Sequence, residues 1–109
     1  MKVDVPLRLG AGLNDRLHWR ARRRQWAHEK TVVGYLLGGR PRPPLPVAVT
    51  VTRVAPSRGL DDDNLAGACK AVRDAVAAWL RIDDRDERIS FRYHQERGPW
   101  AVRINLEPR

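Results

Sequence analysis

The sequence predicts an α+β domain: a small mixed or antiparallel four-stranded sheet with two helices, in the order β-α-β-α-β-β. Three observations predict it. Four short segments alternate apolar and polar residues, and a segment in the second half repeats apolar residues every three or four positions. Gly- and Pro-rich joints separate the elements. At 109 residues the chain reads as a single domain over 1–109.

Residues 2–9 place Val3, Val5, Leu7 and Leu9 on one face of a half-buried strand, which Gly10-Ala11-Gly12 ends. Asn14 or Asp15 is positioned to cap a first helix running to about Leu37, closed by Gly38-Gly39. Arg40 to Pro46 is a stiff, polyproline-like connector. Val47 to Val54 is the clearest strand, β-branched and alternating. A second helix is expected from Asn64 to Leu80, with Leu65, Ala68, Cys69, Val72, Val76, Trp79 and Leu80 as its apolar stripe. Arg88 to Glu96 and Trp100 to Glu107 read as two strands of a hairpin turned by Arg97-Gly98-Pro99.

The chain carries a formal charge of +8, with 21 basic residues of which 18 are arginine. Arginine's planar fork binds phosphate in a bidentate way, so the excess leans toward nucleic acid, although a GC-rich genome also favours arginine codons. With a pI near 11, polyanions bind at least non-specifically. The basic residues Arg16, Arg20, Arg22, Arg23, Arg24 and Lys30 cluster on the first helix, interleaved with His18, Trp19 and Trp26. Acidic residues are nearly absent from that run, so pairing along the helix does not explain it; contact with phosphates is expected, with a merely solvated basic face as the alternative. Trp19 and Trp26 are expected to pack rather than stack on bases. No stretch is apolar enough to cross a membrane, the start of the chain shows no apolar leader, and the single cysteine, Cys69, suits a reducing compartment. A cytoplasmic protein is expected, with Cys69 as a small core residue.

Six of the nine aspartates lie in two short runs, 61–63 and 83–86. Gathering like charges costs stability unless a cation or a proton relieves the repulsion. In a basic protein such runs point to a divalent metal held against an anion, and hard carboxylate oxygens suit Mg²⁺ or Mn²⁺. Asp61 and Asp63 stand two apart, so an extended backbone points both to one side, whereas only one of Asp83 and Asp84 easily faces the same metal. Asp62 or Asp63 can instead serve only as a helix cap. Zinc, EF-hand, P-loop and Ser-His-Asp patterns are all missing from the sequence. His94 alternates within a strand and reads as structural.

Asp61-x-Asp63-Asn64-Leu65, a following helix with Lys70 and Asp74, and then Ile82-Asp83-Asp84 with Ile89 resemble the RusA family of Holliday junction resolvases. Leu13-Asn14-Asp15-Arg16-Leu17-His18-Trp19 is similar to a segment near the start of many members. The resemblance covers most of the chain. It implies a bacterial or prophage homodimer that cuts four-way DNA junctions with Mg²⁺, or with Mn²⁺ as a substitute. It also implies that Asp61, Asp63 and Asp84 are catalytic metal ligands with Asp83 beside them. The family's lysine commonly follows the Asn by three residues; Gly67 stands there, and Lys70 is the nearest substitute, seven residues from Asp63 on nearly the same helix face. A DNA-binding module that does not cut, or another metal-dependent nuclease or phosphatase, are the alternatives. A continuous helix over 64–80 spans about 25 Å. Asp84 therefore reaches Asp61 and Asp63 only if the chain folds back after Leu80 or if a two-fold partner lends its own.

Overall fold

The computed structural model describes residues 1–10 and 19–109. Among them four strands, β1 (Lys2–Val5), β2 (Val47–Ala55), β3 (Ile89–Arg97) and β4 (Ala101–Pro108), form one sheet in the order β1-β4-β2-β3. Strand β2 runs parallel to β3 and antiparallel to β4, and β4 is antiparallel to β1. The sheet is mixed, and helices α1 (Trp19–Gly38), α2 (Asp62–Ala68) and α3 (Lys70–Leu80) complete the α+β architecture.

The register explains the core. Val3, Ile104, Val51 and Tyr93 line up across the sheet in one row, and Val5, Val102, Arg53 and Gln95 in the next. Side chains at alternate strand positions share a face. The apolar members of that face pack on Val33 and Leu37 of α1, Leu65 and Ala68 of α2, and Val72, Val76 and Leu80 of α3. The opposite face carries Thr50, Arg92, His94, Arg103 and Asn105, the polar alternation of a sheet covered on one side only.

The expected hairpin is not there. Strands β3 and β4 are joined by Gly98-Pro99-Trp100, yet β2 lies between them. Their link crosses the carboxyl end of β2, where Gly98 N–H donates to Ala55 O at 3.0 Å. A Cβ at Gly98 would stand 3.1 Å from Val54 Cγ1, so the crossing hugs β2 closely. The physical reason is the composition of β2, whose residues 51–55 are all buried and which therefore takes the centre, with a neighbour along each edge.

Two further boundaries move. Strand β1 stops at Val5 because Pro6 has no N–H for the ladder; Leu7 N–H donates to Val5 O at 2.8 Å, and Leu7 and Leu9 stay buried without being strand. The expected helix over 64–80 starts two residues earlier and is divided at Cys69, where ψ is 1°. Cys69 N–H still donates to Leu65 O, and Arg73 N–H to Cys69 O, so the division is a kink near the weak helix former Gly67, not a loop.

Helix α3 ends with Arg81 in the left-handed region, at φ 61° and ψ 39°. Arg81 N–H donates to Ala78 O and Ile82 N–H to Ala77 O, a Schellman closure that turns the chain back along the helix. Glycine is the usual occupant because a Cβ is strained there. Arg81→Gly should therefore stabilise the fold by roughly 0.5–1 kcal/mol. Urea unfolding checks this as a higher midpoint at unchanged m-value; a lower midpoint contradicts it.

Candidate functional site

The loop leaving β2 is fastened to β3 by one side chain. Gln95 Oε1 accepts from Leu60 N–H at 2.7 Å, and Gln95 Nε2 donates to Leu60 O at 2.8 Å. Gly59 makes room, since a Cβ there would meet the Gln95 amide at 3.1–3.3 Å. Asp61 follows in extended conformation and caps α2, its Oδ1 accepting from Asn64 N–H at 2.9 Å and Asn64 Nδ2 at 2.8 Å. The cap is thus Asp61, not Asp62 or Asp63. Both of those lie in the first turn, where carboxylates complement the helix dipole. Residues two apart on a helix are about 200° apart around its axis, so the extended-chain reason for Asp61 and Asp63 facing one way does not apply. All three carboxylates are exposed, and among the described residues no arginine or lysine pairs with them.

The second acidic run is different: an arginine holds each of its aspartates. Arg73 Nε lies 3.0 Å from Asp84 Oδ2, poorly aligned for a hydrogen bond and so chiefly an ion pair, while Arg73 Nη2 donates to Asp84 O at 3.3 Å. The same guanidinium stacks 4.9 Å from the Phe91 ring and donates to Tyr93 Oη at 3.2 Å. Asp83 accepts from Arg85 N–H at 2.9 Å, and that bond with the Arg85 side chain holds its carboxyl below the ordinary range. The Arg88 side chain, helped by its N–H, lowers Asp86 to about 2. The chain thus does fold back after Leu80, as far as the middle of α3. Asp61 and Asp63 lie about ten residues further along the helical path, on the order of 15 Å. Among the described residues no three His, Cys, Asp or Glu side chains gather to hold a metal.

Lys70 opens α3 with its Nζ 3.5 Å from Asp74 Oδ2, and Lys30 of α1 reaches the same oxygen at 3.6 Å. Lys30 thus ties α1 to α3, while Lys70 pairs within its own helix, four residues from Asp74, rather than with the acidic cap. Arg16 and His18 lie outside the described residues. Arg23 and Arg24 are exposed and Arg22 half-buried on α1, and the guanidinium groups of Arg20 and Arg23 lie 5.2 and 5.6 Å from the Trp19 ring. Trp19 is 55% exposed, so it does not pack as expected, whereas Trp26 is half-buried.

Four polar residues, Arg53, Arg73, Tyr93 and Glu29, stand out only in the structure. Arg53 is 4% exposed; its Nε–H donates to Leu9 O at 3.3 Å, and its guanidinium sits 5.4 Å from the Trp100 ring, which Arg8 also covers at 4.6 Å. It borders a cleft of about 550 Å³ lined by Arg58, Arg97, Ser57 and Gln95 among others, at the carboxyl ends of parallel β2 and β3 and next to Leu60. Its place in an alternating β-branched strand, at an inward position otherwise filled by valine, was the available signal. Tyr93 and Arg73 form the anchor for Asp84, and only long-range packing reveals it. Glu29 is 2% exposed with Oε1 unpartnered, and Cys69 is fully buried. Burial, with Glu29 nearby adding to it and Arg53 opposing, raises the Cys69 thiol to about 12, as befits an inert core residue.

No family model matches the chain, and a search of curated proteins finds no relative.

Burial raises the Glu29 carboxyl from 4.5 to about 7, with a Gln25 hydrogen bond partly opposing. The folded protein therefore holds a proton that the unfolded chain loses between those values, so this group's contribution to stability falls as pH rises from 4.5 to 7 and levels off above. Glu29→Gln, which mimics the protonated form, should raise Tm at pH 8 by several degrees, on the order of 5 °C, with the gain shrinking toward pH 4.5. A Tm difference that does not change with pH contradicts this.

Proposed function

We propose that the chain is a Mg²⁺-dependent endodeoxyribonuclease that resolves four-way DNA junctions, of the type the RusA family represents. One observation carries the reading: exposed carboxylates without basic partners, Asp61 to Asp63, stand beside an arginine-lined cleft at the carboxyl ends of two parallel strands. That end of an α/β unit is where ligands commonly bind. Carboxylates there repel phosphate, so a protein that only binds DNA has no use for them unless a cation intervenes.

Asp61 and Asp63 would each offer a carboxylate to a hard cation, which takes one or two and completes its shell with water and phosphate oxygens. Asp61 keeps Oδ2 for that role while Oδ1 caps α2. When bound, the cation lowers the pKa of a coordinated water and offsets phosphate charge. The protein's own part is to hold and orient the strand: the α1 arginines meet the backbone, and the Leu60–Gln95 clamp fixes the acidic residues relative to β3. Asp84, engaged by Arg73, does not join Asp61 and Asp63 within one copy. The reading therefore includes a homodimer whose partner supplies the third carboxylate, in keeping with the two-fold symmetry of a junction.

A synthetic four-way junction and a linear duplex, each with Mg²⁺, test this directly. Wild type should cut the junction and spare the duplex. Asp61→Asn and Asp63→Asn should each lower cleavage by at least about 10²-fold while binding stays intact or tightens. Asparagine caps helices as well as aspartate, so Asp61→Asn keeps its fold. A variant that cuts at wild-type rate removes that residue from the site. No cleavage by wild type favours the non-cutting DNA-binding reading, to which the Arg73–Asp84 pair already lends support.

Shared sites have a separate test. Mixing Asp63→Asn and Asp84→Asn proteins under exchanging conditions should restore nicking, because one site of the heterodimer is then whole. If both mixed variants stay inactive, each site lies within one subunit.

A further inference from the structure

Among the described residues Arg53 is the only buried arginine, and it lies in a row of side chains facing the core. A buried cation is stable only when it is paired. Among the described residues no carboxylate pairs with Arg53, and its hydrogen bond to Leu9 O uses Nε–H alone. The Trp100 ring and that carbonyl hold the group in place, so its fork is pre-set rather than recruited from solvent. Its remaining donors, the two Nη groups, belong to a side chain that lines the cleft.

The rest of the cleft has the same sign. Arg58 and Arg97 line it, and the Ser57 hydroxyl adds a neutral donor. Among the described residues Glu96 is its only acidic one, and both Glu96 carboxylate oxygens lie 3.1 Å from Arg103 Nη1, so its charge is already offset. Gln95 is committed to Leu60 and serves as wall. Three guanidinium groups and a hydroxyl around an open cleft suit a tetrahedral oxyanion, which Arg binds in a bidentate way. The exposed carboxylates of α2 next door disfavour an acidic protein and favour a phosphate brought with its own cation.

We propose that Arg53, Arg58 and Arg97 take one backbone phosphate of a nucleic-acid strand in this cleft, with Arg53 as the fixed member and the other two closing over it. The proposal rests on the reading of the chain as a nucleic-acid enzyme and assigns the strand's place in it. The cleft sits beside Leu60, one residue before Asp61, so the held phosphate lies next to the proposed metal carboxylates and sets which phosphodiester meets them.

Binding, not cleavage, tests this. A fluorescein-labelled four-way junction is titrated in Ca²⁺ or without metal, across a salt series, with wild type, Arg58→Ala/Arg97→Ala and the charge-matched control Arg40→Ala/Arg42→Ala. The cleft variant should bind about tenfold or more weakly, with a log-log salt slope reduced by about 0.9, the loss of one phosphate contact. Equal losses in the two double variants overturn the proposal, since net charge alone then explains them. Arg53→Gln risks misfolding, so Arg53 is read in the wild-type protein instead, through its Nε–Hε NMR signal. Adding inorganic phosphate should shift that signal saturably, and a junction should displace the phosphate. An unmoved Arg53 signal beside linear shifts of surface arginines overturns the site. Saturation by phosphate that DNA does not displace overturns the nucleic-acid assignment in favour of a small phosphate ligand. The two readings fail separately: normal binding of the cleft variant with cleavage abolished by Asp63→Asn sinks only the phosphate site, and the reverse pattern sinks only the nuclease.

Discussion

The two hydrogen bonds between Leu60 and Gln95 decide where the acidic start of α2 sits against β3. A net contribution of about 1 kcal/mol for each is modest as stability, yet their geometry is more consequential. They tie the loop after β2 to its parallel neighbour β3 and so fix the point at which Asp61 can cap α2. Without that anchor the acidic turn would have no defined relation to Arg53, Arg58 and Arg97. Parallel strands need a crossover, and the crossover here is α2 with α3. A crossover of this kind brings a helix start to the strands' carboxyl ends, and the clamp sets its register there.

Charge is distributed by the same logic. The aspartates at 83, 84 and 86 are neutralised locally by Arg85, Arg73 and Arg88, two of them only two residues away. Short-range pairs of this kind hold a turn in shape, and the lowered pKa of Asp86 and Asp83 records it. The aspartates at 61–63 are offset by the capping bond and the helix dipole alone. Two runs that look alike in composition therefore differ in what they can still bind. One is held by arginines, and the other has no basic partner among the described residues.

The sheet was largely legible because its strands alternate cleanly, and Val47 to Val54 announced the central one. Its order was not legible. Three residues between β3 and β4 suit a hairpin and a crossing over β2 equally well, and only the burial of β2 on both edges separates them. The acidic runs were legible as chemistry, since carboxylates so close together need relief. Which of them keeps its charge depends on Arg73, eleven residues from Asp84 and on another element. Arg53 was hidden in a valine-rich strand, because alternation reports which way a side chain faces and not whether an arginine found there has a partner. The i,i+4 spacing of Lys70 and Asp74 is legible in the sequence, but only the packing of α1 on α3 brings Lys30 to the same carboxylate.

The division of the two acidic runs is most directly tested by paramagnetic broadening. Substoichiometric Mn²⁺ added to ¹⁵N-labelled full chain broadens the amide signals nearest its binding site. At protein dilutions that keep the chain monomeric, the signals of residues 60–65, with 95–97 across the clamp, should fade first, while those of 83–88 persist. Broadening that starts at 83–88, or spreads evenly over both runs, would contradict the division and move the metal away from the arginine-lined cleft.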